Sequence, residues 1–265
     1  MYKIGFIGAG NMGYPEIKGA AALLGAGQVT FFEANEERRA LVAKELSVTP
    51  SASNQELIAN SEYVVLVVKP QVAPLVYPEL KKALHKNSKI ITSMAGISTE
   101  TILKELPFPV PVIRWMPNTP AMVGEGMTSM SLNGVSADSE EARFAKSLCE
   151  SFGRCVILPE ALMSAACCAN GSSPAYVYMM IEALADSVVK YGIPRTTAYE
   201  LVAQTVLGSA KMVLESGRHP GELKDNVCSP GGTTIAAVEA LEASGFRNAL
   251  FQATDACFKR SEELS

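Results

Sequence analysis

Short apolar runs alternate with amphipathic stretches through roughly the first 158 positions. The runs at 3–7, 28–32, 63–68, 89–92 and 112–116 are rich in β-branched residues and predict strands. The unbroken run Val64-Val65-Leu66-Val67-Val68 has no polar face, the pattern of a strand buried on both sides. The segments between them predict helices, for example at 35–46 and 71–85. This strand–helix rhythm predicts a parallel sheet covered on both faces.

The texture changes after about Pro159. Ser173-Pro174 predicts a helix start, with Ser173 as N-cap and proline in the first turn. Val177, Met180, Ile181, Leu184 and Val188 then recur at helical spacing, and Gly192 and Pro194 end the pattern. A second helix is expected at about 196–216, stopped by Gly217 and Pro220. A third runs from near Thr233 to Gly245, and a fourth from Phe246 to the end. The expected division is 1–158, an α/β domain, and 159–265, an all-α domain. The stretches 165–169 and 176–181 are apolar on most sides and need covering, either by a second subunit or as a core helix within one chain.

Composition narrows the partners. The net charge of −4 and the lack of a basic stripe argue against nucleic acid. The chain enters a strand-like run at once, and no apolar run approaches the roughly 18 residues of a membrane span, so it reads as a soluble cytoplasmic protein without a signal peptide. The six cysteines form no CxxC pair and only His85 and His219 accompany them, so no metal site is expected; they read as buried, reduced thiols.

The clearest chemistry is Gly8-Ala9-Gly10-Asn11-Met12-Gly13, a G-x-G-x-x-G turn between a strand and a helix. Glycines permit a tight turn and close backbone approach to a pyrophosphate, and the helix start supplies free N–H groups. The N-terminal domain is therefore expected to be a Rossmann-type dinucleotide-binding domain. After the second strand the chain reads Phe32-Glu33-Ala34-Asn35-Glu36-Glu37-Arg38-Arg39. Glu36 could accept bonds from an adenosine 2′-hydroxyl, which favours NADH; Arg38 or Arg39 could reach a 2′-phosphate, which favours NADPH. Glu36, Glu37, Arg38 and Arg39 could also all be solvated residues of a helix start.

Further stretches point to one family. These are Val67-Val68-Lys69-Pro70-Gln71, Arg114-Trp115-Met116-Pro117-Asn118-Thr119-Pro120, Gly171-Ser172-Ser173-Pro174-Ala175-Tyr176, His219-Pro220 and Ser229-Pro230-Gly231-Gly232-Thr233-Thr234-Ile235. In this order, over essentially the whole chain, they closely resemble the pyrroline-5-carboxylate reductases. On the residues alone, the last stretch is either an anion-holding helix start or a plain threonine N-cap.

The resemblance implies reduction of the imine carbon of 1-pyrroline-5-carboxylate by NADH or NADPH, giving L-proline in the final step of proline biosynthesis. It implies cofactor contacts from Gly8, Ala9, Gly10, Asn11, Met12, Asn35, Asn54, Val68, Lys69, Pro70 and Ala95. It implies substrate contacts from Val227, Gly232, Thr233 and Thr234, with the Thr234 hydroxyl, the catalytic candidate, bonded to the ring nitrogen. It also implies a dimer formed through the helical domain, often stacked into a larger ring, with the site completed across that interface. Arg114 could instead serve structure, bonding loop carbonyls, and Glu160 is a distant candidate for an acid. Three positions depart from the family: Gly13 where alanine is commoner, Asn170 where serine is usual, and Glu36 where phosphate-preferring members often carry arginine. Two other readings are a hydroxyacid-type dehydrogenase and a non-catalytic dinucleotide sensor. The first wants a catalytic lysine in a glycine-led context, which Lys190, Lys211, Lys224 and Lys259 lack; the second would not need the substrate turn.

Overall fold

The computed structural model describes residues 1–263. They form two compact units. One comprises Met1–Ser172 with the described residues from Cys257 onward, and the other is Ser173–Ala256.

The strands are β1 (Tyr2–Ile7), β2 (Val29–Phe32), β3 (Ser61–Leu66), β4 (Lys89–Thr92), β5 (Val112–Met116), β6 (Gly126–Ser131) and β7 (Gly153–Ile157). They make one sheet in the order β2-β1-β3-β4-β5-β6-β7. The first six helices are α1 (Gly13–Leu24), α2 (Glu36–Leu46), α3 (Asn54–Ala59), α4 (Ala73–Ala83), α5 (Thr99–Glu105) and α6 (Glu140–Glu150). Two apolar layers cover the sheet. Tyr63 and Val65 join Ile17, Val42 and Leu148 on one face. Val64 and Leu66 join Leu57, Leu80 and Ile102 on the other. Alternate residues of a single strand thus feed both layers, which is why the stretch from Val64 to Val68 carries no polar positions.

Two strands escape the sequence pattern, and one departs from the all-parallel expectation. β6 pairs antiparallel with β5, whereas β7 pairs parallel with β6. Only the turn through Thr119–Val123 separates β5 from β6, too short for the crossover a parallel neighbour needs. The sequence of β6, Gly-Met-Thr-Ser-Met-Ser, hides its strand character behind hydroxyl side chains. Thr128, Ser129 and Ser131 are nonetheless buried.

Beyond β7 come α7 (Met163–Ala166), a π-helical turn (Cys167–Gly171), α8 (Ser173–Val189), α9 (Arg195–Ser216), α10 (Pro220–Val227), α11 (Thr233–Ala243) and α12 (Phe246–Glu263). α8 starts at Ser173, one residue after the π turn, so Ser173 is its first helical residue. Asn170 anchors that turn. Its Nδ2 donates to the Met116 and Met127 carbonyls, each at 2.9 Å, and its Oδ1 accepts from Ser129 Oγ. Asn118 Nδ2 donates in turn to the Asn170 carbonyl at 3.0 Å. A serine would be too short to make all of these bonds. Helix α10 was also unexpected. Pro220 reads as a stop after α9, yet it occupies the first turn of α10, with His219 Nδ1 accepting from the Gly221 N–H.

The second unit has a small core of Ala185, Ala198 and Val202. Large apolar side chains such as Met179, Leu207, Leu214 and Phe251 remain exposed. Among the described residues, no helix is long and apolar enough to cross a membrane.

Candidate active site

In the first unit, β1 to β4 run parallel, so their following loops share one sheet edge. The chain leaves β1 towards β2 on one side, and β3 lies on the other. The edge beside β1 and β3 is therefore a topological switch point, where ligands bind in open α/β sheets. The loop after β1 is Gly8–Met12. Gly8 has φ +107°, and a Cβ there would lie 2.6 Å from the Val67 carbonyl oxygen. A Cβ on Gly13 would strike the Gly8 carbonyl oxygen. Both glycines are required by close packing of the turn itself. Gly10 differs, since nothing lies within 4 Å of where its Cβ would be. Helix α1 starts with no side-chain cap on its first N–H groups. The Tyr14 N–H donates to the Gly10 carbonyl at 3.0 Å and Pro15 has none, so it is the open face at Gly10, at the start of α1, that fits a pyrophosphate.

The neighbouring loops complete the nucleotide end. Lys69 precedes a short turn at Pro70–Val72 that leads into α4. Ala95 lies between β4 and Ser98, the N-cap of α5; Gly96 beside it has φ +72°. Asn54 reaches the same edge by a detour. Pro50 bridges in parallel to Phe31 and the Ser51 N–H donates to the Phe31 carbonyl, so the chain arrives at Ser53, the cap of α3, beyond the end of β2. Asn54 Nδ2 donates to Glu79 at 2.7 Å. Its Oδ1 is buried with no partner and suits a donor from a bound nucleotide. The structure thus gathers Gly8–Met12, Asn35, Asn54, Lys69 and Ala95 along one edge.

The adenosine end differs from the sequence reading. Glu36 is exposed on the first turn of α2 and lies 3.8 Å from Arg39. Asn35 uses its side chain to cap α2, accepting from the Arg38 N–H at 2.8 Å. The residue that faces the glycine loop is Glu33, which that reading passed over. Its Oε2 accepts from the Ala9 N–H at 2.9 Å, and its Oε1 from the Asn35 N–H at 3.1 Å. Arg38 donates from Nε to the Ala9 carbonyl at 2.8 Å and lies over the Tyr14 ring. Arg39 donates to the Glu33 carbonyl at 2.7 Å. A usable signal was present: Glu33 directly follows β2, about 20 positions after the glycine turn.

Arg114 and Glu160 make a separate buried pair. Arg114 is 6% exposed and donates to Glu160 Oε1 at 3.2 Å. The Thr99 N–H donates to the same oxygen at 2.8 Å, and Thr99 Oγ1 donates to Glu160 Oε2. Arg114 therefore bonds a carboxylate rather than loop carbonyls. Glu160 thus accepts from three donors. None of the six cysteines is in a disulfide.

In the second unit, Val227 closes α10 and a turn through Ser229 leads to α11. The Gly232 N–H donates to the Ser229 carbonyl at 3.0 Å, and Gly231 between them has φ +69°. The N-cap of α11 is Gly232, with no side-chain cap. Thr233 and Thr234 are the first two helical residues, so neither acts as the N-cap. The opening N–H groups of an 11-residue helix thus face outward without an internal acceptor. The turn brings Gly232, Thr233 and Thr234 together, with Val227 at the end of the preceding helix.

A dinucleotide edge on an α/β unit, with a helical unit carrying an anion-ready turn, defines a nicotinamide-dependent oxidoreductase. Residues 3–96 match the family model described as NADP oxidoreductase coenzyme F420-dependent, and residues 160–264 match the one described as pyrroline-5-carboxylate reductase dimerisation. The pyrroline-5-carboxylate reductase of Escherichia coli (strain K12) is 40% identical over 99% of this chain and 98% of its own length. The solved structure of a pyrroline-5-carboxylate reductase from Coxiella burnetii superimposes with TM-score 0.91 at 31% identity, covering 100% of this chain and 98% of that one. That of the Plasmodium falciparum pyrroline carboxylate reductase, with NADP bound, gives 0.88 at 29% identity, covering 99% and 98%. The chain belongs to the pyrroline-5-carboxylate reductases, which are NAD(P)-dependent oxidoreductases. Neither the hydroxyacid-dehydrogenase nor the sensor reading finds support among these relatives.

Proposed function

We propose that residues 1–158 hold NADH or NADPH and that 159–265 hold 1-pyrroline-5-carboxylate and carry self-association, the reaction being reduction of the cyclic imine to L-proline. The bound nicotinamide supplies the hydride that adds to the imine carbon. Gly8, Ala9, Gly10, Asn11 and Met12 border the pyrophosphate; the N–H groups of Gly8 and Ala9 already donate to the Phe32 carbonyl and to Glu33, which leaves those of Gly10, Asn11 and Met12 to hold it. Asn35 and Asn54 border the adenosine end, Val68, Lys69 and Pro70 flank the cofactor, and Ala95 faces the nicotinamide half. Val227, Gly232, Thr233 and Thr234 hold the substrate, its carboxylate on the N–H groups that open α11. The observation that carries this reading is the start of α11, an uncapped helix N-terminus behind a glycine turn. Thr234 then presents its hydroxyl to the ring nitrogen and orients the ring. Its own pKa is far too high for a general acid, so the imine arrives protonated or takes its proton from solvent.

Imine-dependent oxidation of NADH by the purified chain is the direct assay. Thr234→Ala is expected to lower kcat/KM about tenfold, the effect of losing one transition-state hydrogen bond worth about 1.4 kcal/mol. Unchanged kinetics would remove Thr234 from the site.

The smallest active species is a dimer formed through the helical unit, and larger rings built from dimers follow the family resemblance. Support comes from the exposed apolar side chains of α8 and α9, among them Tyr178, Met179, Leu184 and Leu207, beside a core of three small residues. Met180→Lys, which puts a charge into this stripe, is expected to cost both assembly and activity. Sedimentation at assay concentration reads the outcome, and a fully active 28.2 kDa monomer would refute the dimer. Six cysteines outside any disulfide suit the reducing cytoplasm. NADH is the expected preferred cofactor.

A further inference from the structure

The loop after β2 carries a built carboxylate. Glu33 is fixed from two sides, through the Ala9 N–H of the glycine loop at 2.9 Å and the Asn35 N–H at 3.1 Å. Each oxygen keeps a further lone-pair direction after accepting one bond. Two arginines stand nearby, and either could in principle welcome a phosphate. Both are engaged. Arg38 Nε bonds the Ala9 carbonyl while its guanidinium lies over Tyr14. Arg39 bonds the Glu33 carbonyl, lies over Phe32 and faces Glu36. The group placed beside the glycine turn, at the end of the strand next to β1, is thus an acceptor with a negative charge.

We propose that Glu33 is the residue that makes this chain select NADH over NADPH. The inference rests on the reading of the Gly8–Met12 loop as the nucleotide site, and deepens it. A ribose 2′-hydroxyl donates to a carboxylate, and the bond is charge-assisted. A 2′-phosphate in that place brings two negative charges against a third and has no donor to offer. Glu36, the residue the sequence favours for this task, is exposed and points its charge at Arg39. Glu33 discriminates by position because two backbone donors hold it, so it cannot swing away without leaving those N–H groups unmade. The arginines remain where they are when Glu33 is neutralised, so the variant site is expected to gain affinity for phosphate and not merely to lose its preference.

Calorimetric titration with ADP-ribose and with 2′-phospho-ADP-ribose separates this from turnover, because neither probe can react. The wild-type chain is expected to bind ADP-ribose at least about tenfold more tightly. Glu33→Gln and Glu33→Ser are expected to shrink that ratio about tenfold or more, chiefly by tighter binding of the 2′-phosphorylated probe. Matching changes are expected in the KM values for NADH and NADPH. A wild-type preference for the phosphorylated probe overturns the proposal. So does an equal loss of affinity for both probes in both variants, the signature of a residue that only braces the glycine loop. Failure of the assigned reaction reads differently: neither cofactor would then be oxidised by the imine, whatever the ratio of the two probes.

Discussion

Gly8→Ala is expected to lower both thermal stability and cofactor affinity, whereas Gly10→Ala is expected to lower cofactor affinity alone. The two glycines share a motif but not a physical reason. Gly8 stands at φ +107°, where an L side chain is strained, and its new methyl would lie 2.6 Å from the Val67 carbonyl oxygen. Strain of about 1–3 kcal/mol, with displacement of the β3 turn, should lower Tm by several degrees. The same displacement moves the loop proposed to carry the pyrophosphate, and misplacement of that size can cost about a hundredfold in kcat/KM. Gly10 has nothing within 4 Å of its missing Cβ, so the folded chain accepts alanine without rearrangement. The methyl would instead occupy the space the pyrophosphate needs. Differential scanning fluorimetry and NADH titration on both variants give the comparison. A Gly10→Ala chain with wild-type NADH affinity would show that the dinucleotide does not approach there.

Replacing Glu16 by methionine is expected to stabilise the protein, by an amount that grows with pH. Glu16 lies on α1 and is fully buried, and neither carboxyl oxygen has a hydrogen-bond partner. Desolvation pushes its pKa well above the ordinary carboxylate value. The folded state therefore holds this proton more firmly than the unfolded chain. Below about pH 4.5 the group is protonated in both states and costs only its unmade hydrogen bonds. Above that pH the unfolded chain releases the proton while the folded chain must keep it, so stability falls as pH rises until the folded pKa is reached. Methionine has similar volume and does not titrate. At pH 7 the gain should be about 2 kcal/mol or more, or about 4–8 °C in Tm. The gain should be smaller at pH 5. Glu16→Gln removes the titration but keeps an unsatisfied polar group, and should recover less. Thermal melts from pH 5 to 8 are the measurement; parallel curves for wild type and Glu16→Met would mean that the buried carboxyl does not titrate as described.

The parts of the fold legible in the sequence are those whose signal is local. Strands β1 to β5 announce themselves because a strand buried on both faces must be apolar throughout, and helices α9, α11 and α12 because their ends carry glycine or proline. Strands β6 and β7 do not. β6 buries hydroxyl side chains, and β7, with Arg154, Val156 and Ile157 exposed at the sheet edge, offers only the short apolar stretch Cys155–Leu158. Helix α10 was hidden because Pro220 serves equally well as the end of one helix or the first turn of the next. The π turn was hidden because its reason lies in partners 43 to 54 positions away, the Met127 and Met116 carbonyls held by Asn170.

The candidate site divides in the same way. By itself the sequence determined the glycine turn, the Ser-Pro-Gly-Gly-Thr-Thr segment and, through their order along the chain, the family. Backbone that must approach a phosphate or carboxylate closely admits few residue types, so it leaves a local trace. Which acidic residue faces the glycine loop was decided only in three dimensions. Glu33, Glu36 and Glu37 are close neighbours of like charge, and composition cannot rank them. The end of β2 turns Glu33 towards the Ala9 N–H, and the first turn of α2 carries Glu36 away to solvent. Arg114 and Glu160 likewise become a pair only when β5 and the segment after β7 meet, because a bond between residues 46 positions apart depends on the path of the chain and not on any local pattern.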